Sequence, residues 1–443
     1  MKSGAMTPRR IDNVLWLGGE PAEDPTLDDV EESARLLAGA DGHFALVSSP
    51  RPGAYVLARD ALGVHKLFFA LREDGSLDVS TFWIDLVKRG HAPEAVWSVP
   101  AGHVMSLDAV HRTLQLRRFS TLRFGEGPFD EDALRYHTAV IRARLASVFR
   151  RIAGIARGRP VYVALSGGLD STGIAVLARA LLGEVTAVTF AVDGAEESED
   201  LRYARRVAAD LRLPFLTVRA SPEEIAASVD DVLVHGQDWR DFNVHCALVN
   251  DAIGRALAER HPPGTGPAPL LLTGDTMNEL MTDYSPVKYG DTVYYRLPRL
   301  DRGRLRRALV AGLDAGDREV GVLARHGVQV IQPYALAADA YTALPDGAVE
   351  GDEAKQLLVR AVLGARVPAY VYERPKVRAQ CGGQGVSGTL AVLADRGVGA
   401  RELRARFASL FGLDPSRLAG MLSAGRYRFP TEYPALPVAA AVA

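Results

Sequence analysis

The sequence predicts an α/β protein in which a parallel sheet covered by helices follows a smaller β-rich N-terminal unit. Short apolar runs alternate with helical patterns over residues 161–218, and such alternation is typical of a parallel sheet. Residues 42–116 instead show short apolar runs separated by turn residues, as in antiparallel β structure. The 443 residues exceed the size of a single hydrophobic core. We therefore expect two domains, residues 1–122 and 123–443.

The predicted elements follow from these patterns in chain order. The N-terminal unit has strands at residues 44–47, 54–57, 67–71 and 77–79, with a hairpin signal at 73–75. Glycines and a proline near 125–128 precede a helix at 129–155, which has apolar residues at helical spacing. Strands at 161–165, 185–192 and 215–218 then alternate with helices at 172–182 and 200–211. Another strand is expected at 270–273, and the chain beyond residue 300 has mostly helical patterns.

Composition and charge exclude several classes of protein. Lys+Arg 52 against Asp+Glu 54 gives a net charge of -2, so the chain lacks the basic field that favours nucleic acid or anionic membranes. Two cysteines, Cys246 and Cys381, are too few for a disulfide framework and suit a reducing compartment. The sequence has no run of eighteen apolar residues and no leader-like start. We expect a cytoplasmic protein that binds neither nucleic acid nor membranes.

Residues 166–172, Ser-Gly-Gly-Leu-Asp-Ser-Thr, are the most informative stretch because they lie between a predicted strand and a predicted helix. Two glycines let backbone amides approach a ligand, hydroxyls add hydrogen-bond donors, and the helix N-terminus adds positive dipole. The loop lacks the lysine of the common nucleotide-binding loop and contains Asp170. A carboxylate in a phosphate-binding loop is explained if it holds Mg²⁺. The alternative is a Gly-Gly turn capped by Ser171.

This loop resembles the PP-loop of the N-type ATP pyrophosphatases, most closely that of asparagine synthetases and β-lactam synthetases. Three further segments in the same order strengthen the resemblance. They are Leu-Leu-Thr-Gly-Asp-Thr-Met-Asn-Glu-Leu at 271–280, Lys-Gln-Leu-Leu at 355–358, and Arg-Pro-Lys at 374–376. The chain has six lysines, and Lys355 and Lys376 lie in these segments. A compact ammonium is not replaceable by a guanidinium at one crowded oxygen, so two lysines at these positions support a role in binding.

Residues 41–46 and 56–69 resemble the second half of the glutamine amidotransferase domain that precedes such synthetases. Glutamine hydrolysis in that domain needs an N-terminal cysteine as nucleophile. Here Lys2 and Ser3 stand near the start of the sequence, and the first cysteine is Cys246. We therefore expect a structural remnant that does not hydrolyse glutamine, as in β-lactam synthetases. Nitrogen would then come from an amine on the substrate, a second amine-bearing molecule, or ammonium.

The resemblance implies an ATP-dependent, AMP-forming carbon-nitrogen ligase. A carboxylate would attack the α-phosphate of ATP to give an acyl-adenylate and pyrophosphate, and an amine would then displace AMP. Lys376 would stabilise the charge that develops in both steps. Asp170 would be the first Mg²⁺ ligand. The expected contacts to ATP are Ser166, Gly167, Gly168, Ser171 and Lys355 at the pyrophosphate, with Thr189, Phe190, Leu272, Thr273 and Gly274 near adenine and ribose.

Asn278 departs from the pattern, because the family usually has a second Mg²⁺ carboxylate there. A neutral amide offers one carbonyl oxygen, so either Asn278 or Asp275 could support the second metal. In β-lactam synthetases a tyrosine matches Asp275 and pairs with a glutamate that deprotonates the amine. Glu319 lies near that glutamate in a loose alignment, and its alternative is a helix-surface residue.

Residues 238–245, Asp-Trp-Arg-Asp-Phe-Asn-Val-His, form a dense polar and aromatic run. They could line an acceptor pocket at the carboxyl edge of the sheet, or Asp241 or Asn243 could cap a helix. For the whole chain we expect an amide synthetase for a small-molecule or peptide-like carboxylate and an amine donor, in specialised biosynthesis. An ammonia-dependent asparagine synthetase-like enzyme, a PP-loop RNA-modifying enzyme and an inactive homologue are the alternatives. The family likeness also implies a homodimer.

Overall fold

The computed structural model describes residues 6–10, 15–16, 27–120, 122–281, 287–289, 292–295, 302–312, 318–349, 354–374 and 388–414. No helix in these ranges is both long and apolar enough to cross a membrane. Lys376 and Cys381 lie outside the described residues, so the sequence-based predictions about them stay predictions.

The N-terminal unit is built from antiparallel strands, as predicted. A five-stranded sheet has the order β1-β4-β5-β9-β10, a three-stranded sheet the order β7-β6-β8, and β2 pairs with β3. The elements are β1 Met6–Arg10, β2 Leu15–Trp16, α1 Val30–Leu37, β3 Gly42–His43, β4 Ala45–Arg51, β5 Ala54–Arg59, β6 Phe68–Leu71, β7 Leu77–Ser80, α2 Trp83–Lys88, β8 Trp97–Ser98, β9 His103–Asp108 and β10 Thr113–Arg118, with a short 3-10 helix at Pro93–Ala95.

The remainder of the chain alternates strands with helices. Its elements are α3 Glu131–Ala156, β11 Val161–Ala164, α4 Leu169–Leu181, β12 Thr186–Val192, α5 Glu199–Asp210, β13 Phe215–Ala220, α6 Pro222–Ala227, α7 Val229–Gly236, α8 Asp241–Arg260, β14 Leu270–Leu272, α9 Met277–Leu280, β15 Val287–Tyr289, β16 Thr292–Tyr295, α10 Arg302–Ala311, α11 Val320–Ala324, β17 Gln329–Ile331, α12 Pro333–Leu336, α13 Ala338–Thr342, α14 Ala354–Leu363, α15 Ala369–Glu373, α16 Thr389–Ala394 and α17 Ala400–Leu410. Short 3-10 helices lie at Asp346–Ala348 and Gly364–Arg366.

A five-stranded parallel sheet confirms the predicted fold class. Its order is β13-β12-β11-β14-β17, so successive strands are added first on one side of β11 and then on the other. Helices cover the sheet, and Val163 and all three residues of β14 are fully buried. In open α/β sheets of this order, ligands bind outside the carboxyl ends of the strands where the order reverses. That point lies between β11 and β14.

The start of helix α4 and the presence of strand β17 differ from the sequence-based expectation. Helix α4 begins at Leu169 rather than at residue 172, because Gly168 is in an extended conformation at the N-cap and its carbonyl accepts the first helical bond from Thr172. Strand β17 was not predicted. It pairs with β14 and lies in a region with mostly helical patterns. Its three residues are too short an apolar run to be recognised as a strand from the sequence.

The N-terminal unit packs directly on the second region. Asp41 binds Arg144 through two hydrogen bonds of 2.8 Å and Arg151 through one of 2.7 Å. The ring of Trp83 stacks on Phe411 at 5.1 Å between centroids. One apolar cluster also includes buried residues from both sides of residue 122. The segments before and after residue 122 are therefore tightly packed against each other. The division into two domains at residue 122 stays a prediction.

Candidate functional site

The candidate site lies where the order of the parallel strands reverses. Strand β11 leads through residues 165–168 into helix α4, and β14 leads through Thr273 and Gly274 into the turn before α9. The first-turn amides of a helix have no intrahelical partner, so the N-terminus of α4 presents hydrogen-bond donors and positive dipole at this crevice.

Hydroxyl groups fix the shape of the loop before α4. The Oγ atoms of Ser166 and Ser171 lie 3.1 Å apart, and Ser171 Oγ also donates to the Gly168 carbonyl at 3.2 Å. The Gly168 amide donates to Ser166 Oγ at 3.3 Å. The loop is therefore held by its own side chains, as expected for a preformed anion site.

Two glycines are required by close packing. Gly167 has φ +72°, and a Cβ there would lie 2.5 Å from Tyr203 Cβ and 2.7 Å from the Ala204 nitrogen of α5. A Cβ on Gly274 would lie 2.9 Å from the Ser171 nitrogen. Any side chain at either position would displace the loop or the start of α4. Helix α5 and the end of β14 thus enclose the loop from two directions.

Lys355 contacts two other residues predicted for the site, Asp170 and Asn278. Its Nζ lies 2.6 Å from Asp170 Oδ2 and donates to Asn278 Oδ1 at 3.1 Å. Lys355 is buried on α14, whereas Asp170 is on the first turn of α4 and Asn278 is on α9. Asp170 Oδ1 is buried and has no hydrogen-bond partner among the described residues. The cluster therefore offers one cation and one unused carboxylate oxygen.

A buried carboxyl pair lies on the other side of Gly274. Glu319 is buried and accepts hydrogen bonds from Thr273 Oγ1 at 2.7 Å and Gln332 Nε2 at 3.0 Å. Burial and the neighbouring Asp275 carboxylate raise its pKa well above the usual range. Burial opposes ionisation of Asp275, but Arg318 and a hydrogen bond with Glu319 lower its pKa. The pKa shifts of the two carboxyls are therefore opposite, upward for Glu319 and downward for Asp275.

Asp275 and Glu319 interact through a side-chain hydrogen bond, and Glu319 is buried rather than a helix-surface glutamate, while its role as a base stays a prediction. The glutamate lies at the N-cap of α11, and this helix packs on α8 beneath the sheet. Burial disfavours the charged form of the carboxyl, which is the main cause of its raised pKa.

The polar run at 238–245 binds Arg318, and Arg318 in turn binds Asp275 of the carboxyl pair. Arg318 Nη2 lies 2.8 Å from Asp275 Oδ2, and its Nη1 donates to Asn243 Oδ1 at 3.0 Å. Asn243 Nδ2 in turn donates to the buried Asp238 carboxylate at 2.6 Å. Helix α8 begins at Asp241 with Arg240 as N-cap, so neither Asp241 nor Asn243 caps it. The run positions Arg318, a residue that the sequence reasoning missed.

The N-terminal unit also reaches the carboxyl pair. His43 Nε2 accepts a hydrogen bond from the main-chain N–H of Gln332 at 3.1 Å. The side chain of Gln332 binds Glu319 and Thr276. Burial lowers the pKa of His43 to about 3, with a further contribution from His65. His43 is therefore neutral and acts as an acceptor. His43 lies within the resembling residues 41–46 but was given no role, and no pattern in the sequence indicated Gln332.

Arg374 anchors the third resembling segment at the loop. Its Nη1 donates to the Ser166 carbonyl at 2.8 Å, its Nη2 pairs with Asp200, and its guanidinium stacks on Tyr203 at 4.3 Å. The sequence reasoning quoted Arg374 within the Arg-Pro-Lys segment but gave it no role.

Three further predicted residues lie near the crevice. Strand β11 ends opposite Val188, so Thr189 and Phe190 on β12 lie just past its end, beside the loop. Strand β12 continues to Val192, so Thr189 and Phe190 lie within the strand. Leu272 is fully buried in β14, between β11 and β17.

The comparisons with known proteins agree with the resemblance found in the sequence. Residues 147–284 match the family model for asparagine synthase. The carboxyethyl-arginine beta-lactam-synthase of Streptomyces clavuligerus is 26% identical over 313 residues, 68% of this chain and 55% of that protein. The glutamine-hydrolyzing asparagine synthetase of Gallus gallus is 26% identical over 279 residues, 58% of this chain and 47% of that protein. This chain thus spans about half the length of these curated relatives.

Among solved structures, the NMN synthetase of Francisella tularensis is 15% identical, with a TM-score of 0.30, over 65% of this chain and 88% of that chain. At this TM-score the structural likeness is weak, and the five-stranded parallel sheet itself defines the fold class. The family match at residues 147–284 and the curated relatives confirm that this chain resembles the asparagine synthetases and β-lactam synthetases.

Proposed function

We propose that this protein is an ATP-dependent amide synthetase that adenylates a carboxylate, releases pyrophosphate, and transfers the acyl group to an amine with loss of AMP. The observation that carries the proposal is the arrangement at the crevice. A glycine-rich loop and a buried lysine lie on one side of Gly274, and a buried carboxyl pair lies on the other. The first suits a polyphosphate, and the second suits proton transfer from an amine.

The loop and α4 are the proposed pyrophosphate site. Ser166, Ser171 and the Gly168 amide would exchange hydrogen bonds within the loop for phosphate oxygens, and the Gly167 amide would approach the phosphate closely because glycine has no side chain. Lys355 would exchange its contact with Asp170 for a phosphate oxygen. Thr189, Phe190 and the main chain of Leu272 and Gly274 are proposed to contact the nucleoside.

The residues present fit a magnesium ion. Asp170 Oδ1 is a buried oxygen without a hydrogen-bond partner in the described chain, and Asn278 can supply its amide oxygen. Mg²⁺ prefers one or two protein oxygens with phosphates and water, which matches this donor set. Among the described residues no three His, Cys, Asp or Glu side chains form a metal cluster. A bound Mg²⁺ would neutralise phosphate charge, while the chain's own residues orient the nucleotide.

We further propose that the pair of Asp275 and Glu319 accepts the proton of the attacking amine, and that Lys376 stabilises the charge on the reacting carbonyl. A raised pKa makes the ionised Glu319 carboxylate a stronger base, which suits acceptance of a proton from an amine. Lys376 follows Arg374 by two residues, and Arg374 binds the loop carbonyl, which supports a role near the loop.

The amine is proposed to come from a source other than glutamine hydrolysed in the N-terminal unit. Residues 1–122 contain no cysteine, so this stretch has no thiolate nucleophile. The proposed acceptor is an amine on the same molecule or on a second small molecule, as suits specialised biosynthesis. A homodimer, a cytoplasmic location, and the lack of nucleic-acid or membrane partners remain parts of the proposal.

The test measures MgATP binding by titration calorimetry and then ATP–pyrophosphate exchange across a panel of carboxylic acids. The expected result is binding by the wild-type protein, exchange with a subset of the acids, and AMP as the nucleotide product once an amine is added. Asp170→Ala is the matched inactive control. A wild-type protein that binds no MgATP, or that releases ADP and phosphate during turnover, would overturn the proposal.

A further inference from the structure

Arg374 holds the peptide plane that begins the glycine-rich loop. Its Nη1 donates to the Ser166 carbonyl at 2.8 Å, and the side chain is 3% exposed. Asp200 pairs with the same guanidinium, and the Tyr203 ring lies against it at 4.3 Å. Two residues of α5 therefore fix the guanidinium, and the guanidinium fixes one loop carbonyl.

The orientation of that carbonyl determines where the next amide points. In a trans peptide the C=O of one residue and the N–H of the following residue point in opposite directions, and the described chain has no cis peptide bond. The Gly167 N–H therefore faces away from Arg374. It has no hydrogen-bond partner among the described residues, whereas the neighbouring Gly168 amide is bound to Ser166 Oγ.

We propose that Arg374 is a positioning residue for ATP, because it orients the Ser166–Gly167 peptide so that the Gly167 amide donates to a phosphate oxygen. Arg374 itself does not touch the nucleotide in this role. The inference rests on the proposed ATP site and adds a residue that the binding-loop sequence does not contain. Gly167 cannot hold this orientation alone, since glycine adopts many backbone conformations.

The close packing of helix α5 on the loop requires an arginine at position 374. Helix α5 packs so closely on the loop that its main chain lies 2.7 Å from a Cβ built on Gly167. One planar group must therefore bind a loop carbonyl and a carboxylate on α5 at the same time. A guanidinium has donors on both sides of its fork, whereas a lysine ammonium is a single point.

The test compares MgATP with adenosine, which lacks the phosphates. Arg374→Met alone leaves Asp200 buried without its cation, which destabilises the fold. The double variant Arg374→Met/Asp200→Asn removes that charge as well and is the main test protein. Arg255→Met is the matched control, because Arg255 pairs with the buried Asp251 on α8, where His326 also binds that carboxylate. Thermal unfolding establishes that each variant is folded.

We expect the double variant to bind MgATP about tenfold more weakly, equivalent to about 1.4 kcal/mol, with unchanged affinity for adenosine in competition with ATP. Arg255→Met should match the wild type for both ligands. Unchanged MgATP affinity in the double variant, or an equal loss for adenosine, would overturn the role of Arg374. A wild-type protein that binds no MgATP would instead overturn the proposed function on which this inference rests.

Discussion

Lys355 is the residue whose replacement tests the proposed ATP site most directly. Its Nζ lies 2.6 Å from Asp170 Oδ2, and the residue is 7% exposed. Lys355→Met removes the charge with little change of volume. A hydrogen bond to a charged group contributes about 1.5–3 kcal/mol, so losing one contact to phosphate should weaken MgATP binding by about 10- to 150-fold.

The same substitution removes the counter-charge of Asp170. Breaking a fully buried ion pair costs about 3–5 kcal/mol, but the Asp170 side chain is 21% exposed, and water reduces the loss to about 1–3 kcal/mol. The assays are titration calorimetry with MgATP and thermal unfolding without nucleotide. Lys88→Met, at an exposed lysine on α2, controls for charge removal. Lys355→Arg should also bind ATP weakly, because a guanidinium does not replace a compact ammonium. Wild-type affinity in Lys355→Met would refute the assignment.

Three other predictions follow from the same contacts. Gly167→Ala should abolish MgATP binding, whereas Gly158→Ala, with a similar φ of +71° but open space around it, should lose only a little stability; equal effects would contradict the packing argument. Glu319→Gln replaces the ionisable acid with a neutral side chain of similar shape, so denaturant unfolding across pH should show a smaller loss of stability at rising pH in the variant than in the wild type, because an acid whose pKa is raised by folding destabilises the fold once it ionises; parallel curves would contradict it. Loss of the acceptor in His43→Leu should cost about 1–3 kcal/mol of unfolding free energy, and denaturant unfolding that leaves stability unchanged would contradict it.

The phosphate loop could be predicted because its chemistry is local. Seven consecutive residues between a strand and a helix contain the glycines, hydroxyls and carboxylate, so their order alone indicates an anion site. The parallel sheet was predictable for a similar reason, since each apolar run and each helical pattern is contiguous. Strand β17 was missed because three residues are too few to show a period.

The support of the site could not be predicted, because it depends on contacts between distant parts of the chain. His43 and Gln332 are 289 residues apart in sequence, and Arg374 meets Ser166 across 208 residues. The residues that flank His43 and Arg374 in the sequence do not indicate these partners. Arg318 is adjacent to Glu319, but adjacency does not reveal that its guanidinium bridges Asp275 and Asn243.

Three consecutive residues after β14 tie the two halves of the site together. Thr273 donates to Glu319, Gly274 packs on the first turn of α4, and Asp275 pairs with Arg318. A reaction in which one carboxylate is first activated and then attacked needs the nucleotide and the proton acceptor at a fixed separation. Gly274→Ala should therefore impair both MgATP binding and the amine-dependent release of AMP, whereas Glu319→Gln should impair only the latter. Calorimetry with MgATP and pre-steady-state AMP release separate these effects, and a Gly274→Ala protein defective in one step alone would show that the two halves are positioned independently.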